Sequence, residues 1–300
     1  MTTRDQFKAD LLASLKQKRR GFSKGWYKFS RNPLSVLGLV VLTLIILAAI
    51  FAPYITPYPE HAKPYTNFQD GGKPPSLQHF FGTDRVGRDI FSRVIFGYRF
   101  SLMIGIVVLS LGVAPGVILG LLAGYHQGTW VETASMRITD IFLAVPPLVL
   151  ALAITAMLTP NLMNQMMAIA LVWWPWYSRL VFALASSLRS EYFVREAELT
   201  GASKAHIMFR EILPNCLAPV MTKMTLDMGI VILLGATLSF IGLGVQPPKP
   251  GLGTMVAEGA KRLPSEWWGT IFPALAIVVV ILAFNLVGDG LRDVFAVEEV

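Results

Sequence analysis

Cysteine is all but absent from this 300-residue chain. Cys216 stands alone, which excludes an internal disulfide framework and any cysteine-based metal cluster. It reads as a small packing residue. The four histidines, His61, His79, His126 and His206, are scattered without ligand spacing, and no H-E-x-x-H occurs. Charge is scarce as well: 15% of residues are charged, against roughly 25% in soluble domains. There is no phosphate-cradling G-x-x-x-x-G-K-[ST]. Gly72-Lys73-Pro74 lacks both the upstream glycine and the hydroxyl residue, so the chain does not hold ATP in the P-loop manner. Gly201-Ala-Ser203-Lys-Ala205 misses the second glycine of a nucleophile elbow. Asp140, Asp227 and Arg179 fall near the ends of apolar runs, where snorkelling to water accounts for them without a proton relay. No catalytic, cofactor-binding or metal-ligating residue is assigned, and the chain is expected not to be an enzyme.

What is abundant is apolar residues, 54% of the chain, gathered into long uncharged runs. The class is therefore an all-α integral membrane protein. Spans are expected at about 34–55, 101–124, 138–158, 165–185, 220–243 and 267–288. The third and fourth come from one uncharged run, 141–178, too long for a single ~30 Å crossing at about 1.5 Å per residue, and divided at Thr159-Pro160-Asn161. Residues 1–32 carry nine Lys/Arg against two Asp, with Phe7, Leu11, Leu12 and Leu15 at helical spacing. They read as a basic amphipathic tail on the cytoplasmic membrane surface. The run that follows is longer than the ~7–15 residues of a signal-peptide core, and Ala49-Ile-Phe-Ala52 offers no cleavage site, so the first span is retained. With the N-terminus inside, inner segments hold 17 Lys/Arg and outer ones 9. Both termini, including the short tail 294–300, are then cytoplasmic, and the Pro/Gly-rich loop 56–99 is external. The formal net charge of +7 follows this topology and does not imply nucleic acid. Trp267 and Trp268 suit the outer interface.

One segment between spans is highly charged yet helical in period: 191–215. Val194, Ala197, Gly201, Ala205, Met208 and Ile212 recur at three- and four-residue steps, while Arg195, Glu198, Lys204 and Glu211 fall elsewhere. Gly201 interrupts the period and Ser203 suits an N-cap. Two short helices meeting near Gly201 and stopped by Pro214 are expected, too small for a domain but large enough to dock a partner.

Two further patterns stand out. Gly82, Thr83, Asp84, Gly87, Arg88, Asp89, Ser92 and Arg93 close the external loop with turn glycines and alternating acid and base, an ion-paired loop before it is a substrate site. Gly112, Gly116, Gly120 and Gly124 lie on one helix face and permit close helix packing, or sliding.

Five motifs in order resemble the inner-membrane permease subunits of ABC importers of the dipeptide/oligopeptide/nickel type, specifically the second permease of the heterodimer. They are Arg31-Asn-Pro-Leu34, Gly82-Thr-Asp-Arg-Val-Gly-Arg-Asp89 with Ser92-Arg93, Met136-Arg-Ile-Thr-Asp140-Ile-Phe-Leu-Ala-Val-Pro-Pro147, Leu238-Ser-Phe-Ile-Gly-Leu-Gly-Val-Gln-Pro-Pro248 and Ala283-Phe-Asn-Leu-Val-Gly-Asp-Gly-Leu-Arg-Asp293. The resemblance covers about Asn32 to Asp293. It makes 191–215 similar to the family's EAA loop, which docks in a groove of the ATPase subunit. The residues carried over are Phe193, Val194, Arg195, Glu196, Ala197, Glu198, Gly201, Ala202, Ser203, Ala205, Met208, Phe209, Ile212, Leu213 and Pro214. Arg195 stands where the motif has Glu, with Glu196 one place later. The resemblance also implies a homologous second permease, two cytoplasmic ATPase subunits that hold ATP and Mg²⁺, and a periplasmic or lipid-anchored substrate-binding protein. It places the chain among lipid in a bacterial or archaeal inner membrane. The implied cargo is di- or oligopeptide, with nickel, glutathione, opines or sugars as alternatives. The rival is an ATP-independent secondary transporter, which would need ionisable groups or broken helices at mid-membrane.

Overall fold

The computed structural model describes residues 25–295, and the expected amphipathic tail lies largely outside them. Among the described residues there is no strand, only an isolated bridge between Thr83 and Asp89. The first span, α1 (Pro33–Ile50), is capped by Asn32, whose side chain accepts from the N–H groups of Leu34 and Ser35, with proline in the first turn. A loop follows, and α2 (Ile90–Tyr125) starts eleven residues before the expected span. The early start has a local cause: the Asp89 carboxylate accepts from Ser92 N at 2.7 Å and caps the helix. The loop expected to be external thus ends at 89 rather than 99.

The expected third span is not one helix. It is a pair, α3 (Trp130–Leu143) and α4 (Pro147–Ala156), bent by 82° at a short break. Pro146-Pro147 causes the bend, because the residue before a proline is driven out of the helical region. α5 (Leu162–Arg189) is capped by Asn161, which accepts from Asn164 N at 2.8 Å. After the short α6 (Tyr192–Leu199), α7 runs from Lys204 to Phe240 as one helix of 37 residues. α8 (Leu252–Ala260) and α9 (Trp268–Phe295) complete the described residues.

Pro214 does not stop the hairpin, contrary to expectation. Residues Ile207–Ile212 are wound as π-helix directly before it. That wider turn accommodates a ring with no N–H to donate, which in an α-ladder would collide with the carbonyl four residues back.

The four glycines of α2 settle against α5. A Cβ built on Gly112 would lie 3.3 Å from Ala170 O; one on Gly124 would lie 2.7 Å from Ala185 Cβ. Between them, Gly116 meets Trp174 and Tyr177, and Gly120 meets Ser178 and Val181. Partner numbers rise together, so α2 and α5 run parallel. The chain must therefore return between them through α3 and α4, which together make one broken crossing and bring the total among the described residues to six. Around this pair lies a core containing Val108, Leu109, Leu121, Ile169, Tyr177 and Val181. A second core joins α1 and α9 through Leu42, Ile45, Ala276, Val280 and Phe284.

Gly116→Leu should lower stability by about 3 kcal/mol or more, since the overpacked atoms meet backbone. Gly128→Ala, at φ +80° but with nothing within 4 Å of a Cβ, should cost only about 1 kcal/mol of backbone strain. Thermal unfolding in detergent separates the two, and equal losses would contradict a tight seam.

Candidate functional site

The hairpin is built from local rules. α6 ends in a Schellman turn: Ala202 N donates to Ala197 O and Gly201 N to Glu198 O, both at 3.0 Å, with Gly201 at φ +82°. That left-handed φ is why glycine stands there. Ser203 caps α7, its Oγ accepting from His206 N at 3.2 Å, and His206 pairs with Glu211 at 3.4 Å. The two short arms are thus fixed at a sharp corner, and the second arm continues without interruption into a membrane helix.

The apolar stripe divides once folded. Val194, Ile207, Met208, Ile212 and Cys216 are buried in the α2–α5 core, with Phe193, Ala197, Ala202 and Leu213 packed beside them. Those residues hold the hairpin to the bundle and do not offer themselves to a partner. The outward side presents Arg195, Glu196, Glu198, Leu199, Gly201, Ser203, Ala205, Phe209 and Pro214. Leu199, at the tip, is 88% exposed and Tyr192, at the start of α6, 80%, large apolar side chains on an otherwise charged element. Periodicity did not single out either, because they lie off the buried stripe.

At the other end of the bundle the motif 82–93 folds into a buried ion-paired knot. Asp84 accepts from Val86 N at 3.0 Å, Arg88 N at 2.9 Å and Arg88 Nε at 2.6 Å, while Arg88 reaches Glu258 of α8 at 3.4 Å. Arg93, 2% exposed, donates to His61 O at 3.2 Å and Pro248 O at 3.3 Å and lies 3.8 Å from Asp84. Trp268 Nε1 donates to Thr83 O at 3.2 Å. Gly82 and Gly87 take positive φ in its turns. The cavity beside the knot holds only about 40 Å³, enough for a water and not for a cargo. Behind it, Asp89 accepts from Ser92 N and pairs with His79 Nδ1 at 2.9 Å, while its own N–H donates to His61 Nδ1 at 2.8 Å. Tyr58 stacks between the two imidazoles at 4.9 Å from each.

The membrane interior holds a cluster that reading along the chain missed. Asp227 of α7 is not a snorkelling end residue. It is 3% exposed and accepts from Trp173 Nε1 at 2.9 Å, Tyr177 Oη at 2.8 Å and Lys223 Nζ at 3.1 Å. Lys223 lies one turn back on α7, but Trp173 and Tyr177 come from α5, some fifty residues away, a pairing no local pattern signals. Arg179 likewise pairs with Asp140, across α5 and α3.

Residues 116–296 match the family described as the binding-protein-dependent transport system inner membrane component. This chain belongs to that family. Residues 22–75 also match the N-terminal transmembrane domain of oligopeptide transport permease C. The permease is 43% identical to the dipeptide transport system permease protein DppC of Alkalihalophilus pseudofirmus, over 89% of this chain and 86% of that one. It is 40% identical to the glutathione transport system permease protein GsiD of Escherichia coli, over 92% and 90%. A chain of the MetNI methionine ABC transporter in inward-facing conformations shares the fold, with TM-score 0.56 and 17% identity over 69% of this chain and 98% of that one. The permease is thus a multi-pass inner-membrane subunit of a binding-protein-dependent ABC importer. That membership settles the matter against a secondary transporter, despite the broken helix and the buried ion pair.

Burial lowers the His61 pKa below its usual 6.5, against the opposing pull of Glu60, Asp89 and Asp84 and with a further push from His79. A depressed histidine pKa means the unfolded chain binds more protons, so the stability it contributes is full above about pH 6.5 and falls as pH drops below that value. Protonation also removes the lone pair that accepts from Asp89 N. Amide exchange in 56–89, corrected for its intrinsic pH dependence, should quicken between pH 7.5 and 5. His61→Gln should flatten the response. A pH-independent loop in the wild type would contradict it.

Proposed function

We propose that this permease forms half of the membrane path of a small-peptide importer. In this reading its hairpin 191–215 docks on a cytoplasmic ATPase subunit, and α7 carries the resulting movement into the membrane. The single observation that supports this most is the continuity of the hairpin's second arm with a 37-residue membrane helix. A push on the exposed tip at Leu199 reaches α7 through the fixed corner at Gly201. Small-peptide cargo follows from relatives named for dipeptides, di- and tripeptides, and glutathione, itself a tripeptide.

In the same reading the α6 end of the bundle faces the cytoplasm, as do both termini. The loop 51–89 and α8 meet a substrate-binding protein on the outer side. A homologous second permease completes the path, and ATP with Mg²⁺ is held by two partner subunits.

Gly201→Trp should abolish dipeptide uptake by the reconstituted importer while the protein remains folded in the membrane, because the added ring projects into open space where the ATPase would sit. Gly201→Asn, which tolerates the left-handed region, should retain most uptake. Normal transport by Gly201→Trp at normal expression would sink the docking role.

A further inference from the structure

Two features of the bundle are costly in lipid, and both lie on one face. The break between α3 and α4 leaves Ala144 and Pro146 exposed within the third crossing. Irregular backbone there is tolerated only where protein or water covers it. The last turn of α3 carries Asp140, paired with Arg179 of α5, and these side chains are 43% and 45% exposed. Arg179 lies ten residues before the end of α5, within a membrane helix. Ionised groups within such helices face a bundle interior or a water-filled cavity, not lipid tails.

From Arg179 the polar face continues. One turn back on α5 is Trp176, 42% exposed, with Lys223 Nζ of α7 at 5.8 Å from its ring. Lys223 and Asp227 border an open cleft of about 430 Å³ shared with Leu180, Thr222 and Arg292.

We propose that this face of α3, α5 and α7, with the end of α9, is the wall of the cargo path, and that Arg179, Lys223 and Arg292 attract the cargo's carboxylate as it passes. The two acids of the face are already committed: Asp140 to Arg179, and Asp227 to Trp173, Tyr177 and Lys223. Donors are in surplus, because Lys223 has three and Arg179 and Arg292 five each. Along the cleft itself Lys223 and Arg292 stand against Asp227 alone, so the ligand that completes its electrostatics is an anion. A subunit contact would instead be depleted of charge at its centre. The carboxylate assignment rests on the peptide reading above; the assignment of the path wall does not.

The test uses the complete importer in lipid nanodiscs, with Cys216→Ser removing the only thiol of this chain and labelling read on this subunit alone after the subunits are separated. Single cysteines Thr222→Cys and Trp176→Cys are reacted with an anionic and a cationic methanethiosulfonate, each rate normalised to that at Leu77→Cys on the exposed loop. Both positions should react, while Leu44→Cys on the outer face of α1 should not. At Thr222→Cys the anionic reagent should gain on the order of tenfold over the cationic one, and Arg179→Gln should narrow that ratio. No reaction at 176 and 222 while Leu77→Cys reacts would give the face to the second permease and overturn the path wall. Equal normalised rates would overturn the carboxylate assignment. No cargo is added, so these outcomes stand apart from the uptake assay that tests peptide transport.

Discussion

The architecture depends on two parallel helices meeting backbone to backbone. Lipid offers no hydrophobic drive between helices, so association falls to close packing and interhelical hydrogen bonds. The glycine seam of α2 provides the first along α5 from Gly112 to Gly124. Once α5 is fixed, much else is placed by it. Its Trp173 and Tyr177 hold Asp227 of α7, its Arg179 holds Asp140 beside the α3–α4 break, and its end at Arg189 leads directly into the hairpin. The seam thus bears on stability and on the proposed path alike. A sliding α2 does not fit it, because side chains and carbonyls of α5 fill the space on its glycine face.

The hairpin is joined to this frame in two ways of different stiffness. Val194, Ile207 and Ile212 anchor it by burial in the core. The π-wound stretch before Pro214 links it covalently to α7, at a point where the helix ladder is already altered. A force applied at the exposed tip would meet a well-packed base, so the arms and α7 would move together rather than fray.

Much of this was legible in the sequence. Long uncharged runs found α1, α5 and α9, and helical periodicity with Gly201 and Ser203 found the two arms and their corner. The misses have physical causes. The start of α2 was hidden because Arg93 and Arg99 lie in its first turns, one buried by tertiary partners and the other bonded to the carbonyls at the end of α1. The division of the long third run was placed at Thr159-Pro160-Asn161, which does end α4, while the stronger breaker Pro146-Pro147 was passed over within the same apolar run. The inward and outward faces of the hairpin could not be told apart, since an apolar stripe records burial without saying against what. Asp227 reads as a span-end charge in the sequence because the two α5 donors that bury it, Trp173 and Tyr177, are distant along the chain.

The most direct measurement is co-purification in mild detergent after Leu199→Asp and Phe209→Asp are placed together on the exposed side of the hairpin. The account predicts that the second permease remains bound while the ATPase subunits are lost. Recovery of both ATPase subunits at wild-type levels would contradict the hairpin as the coupling element.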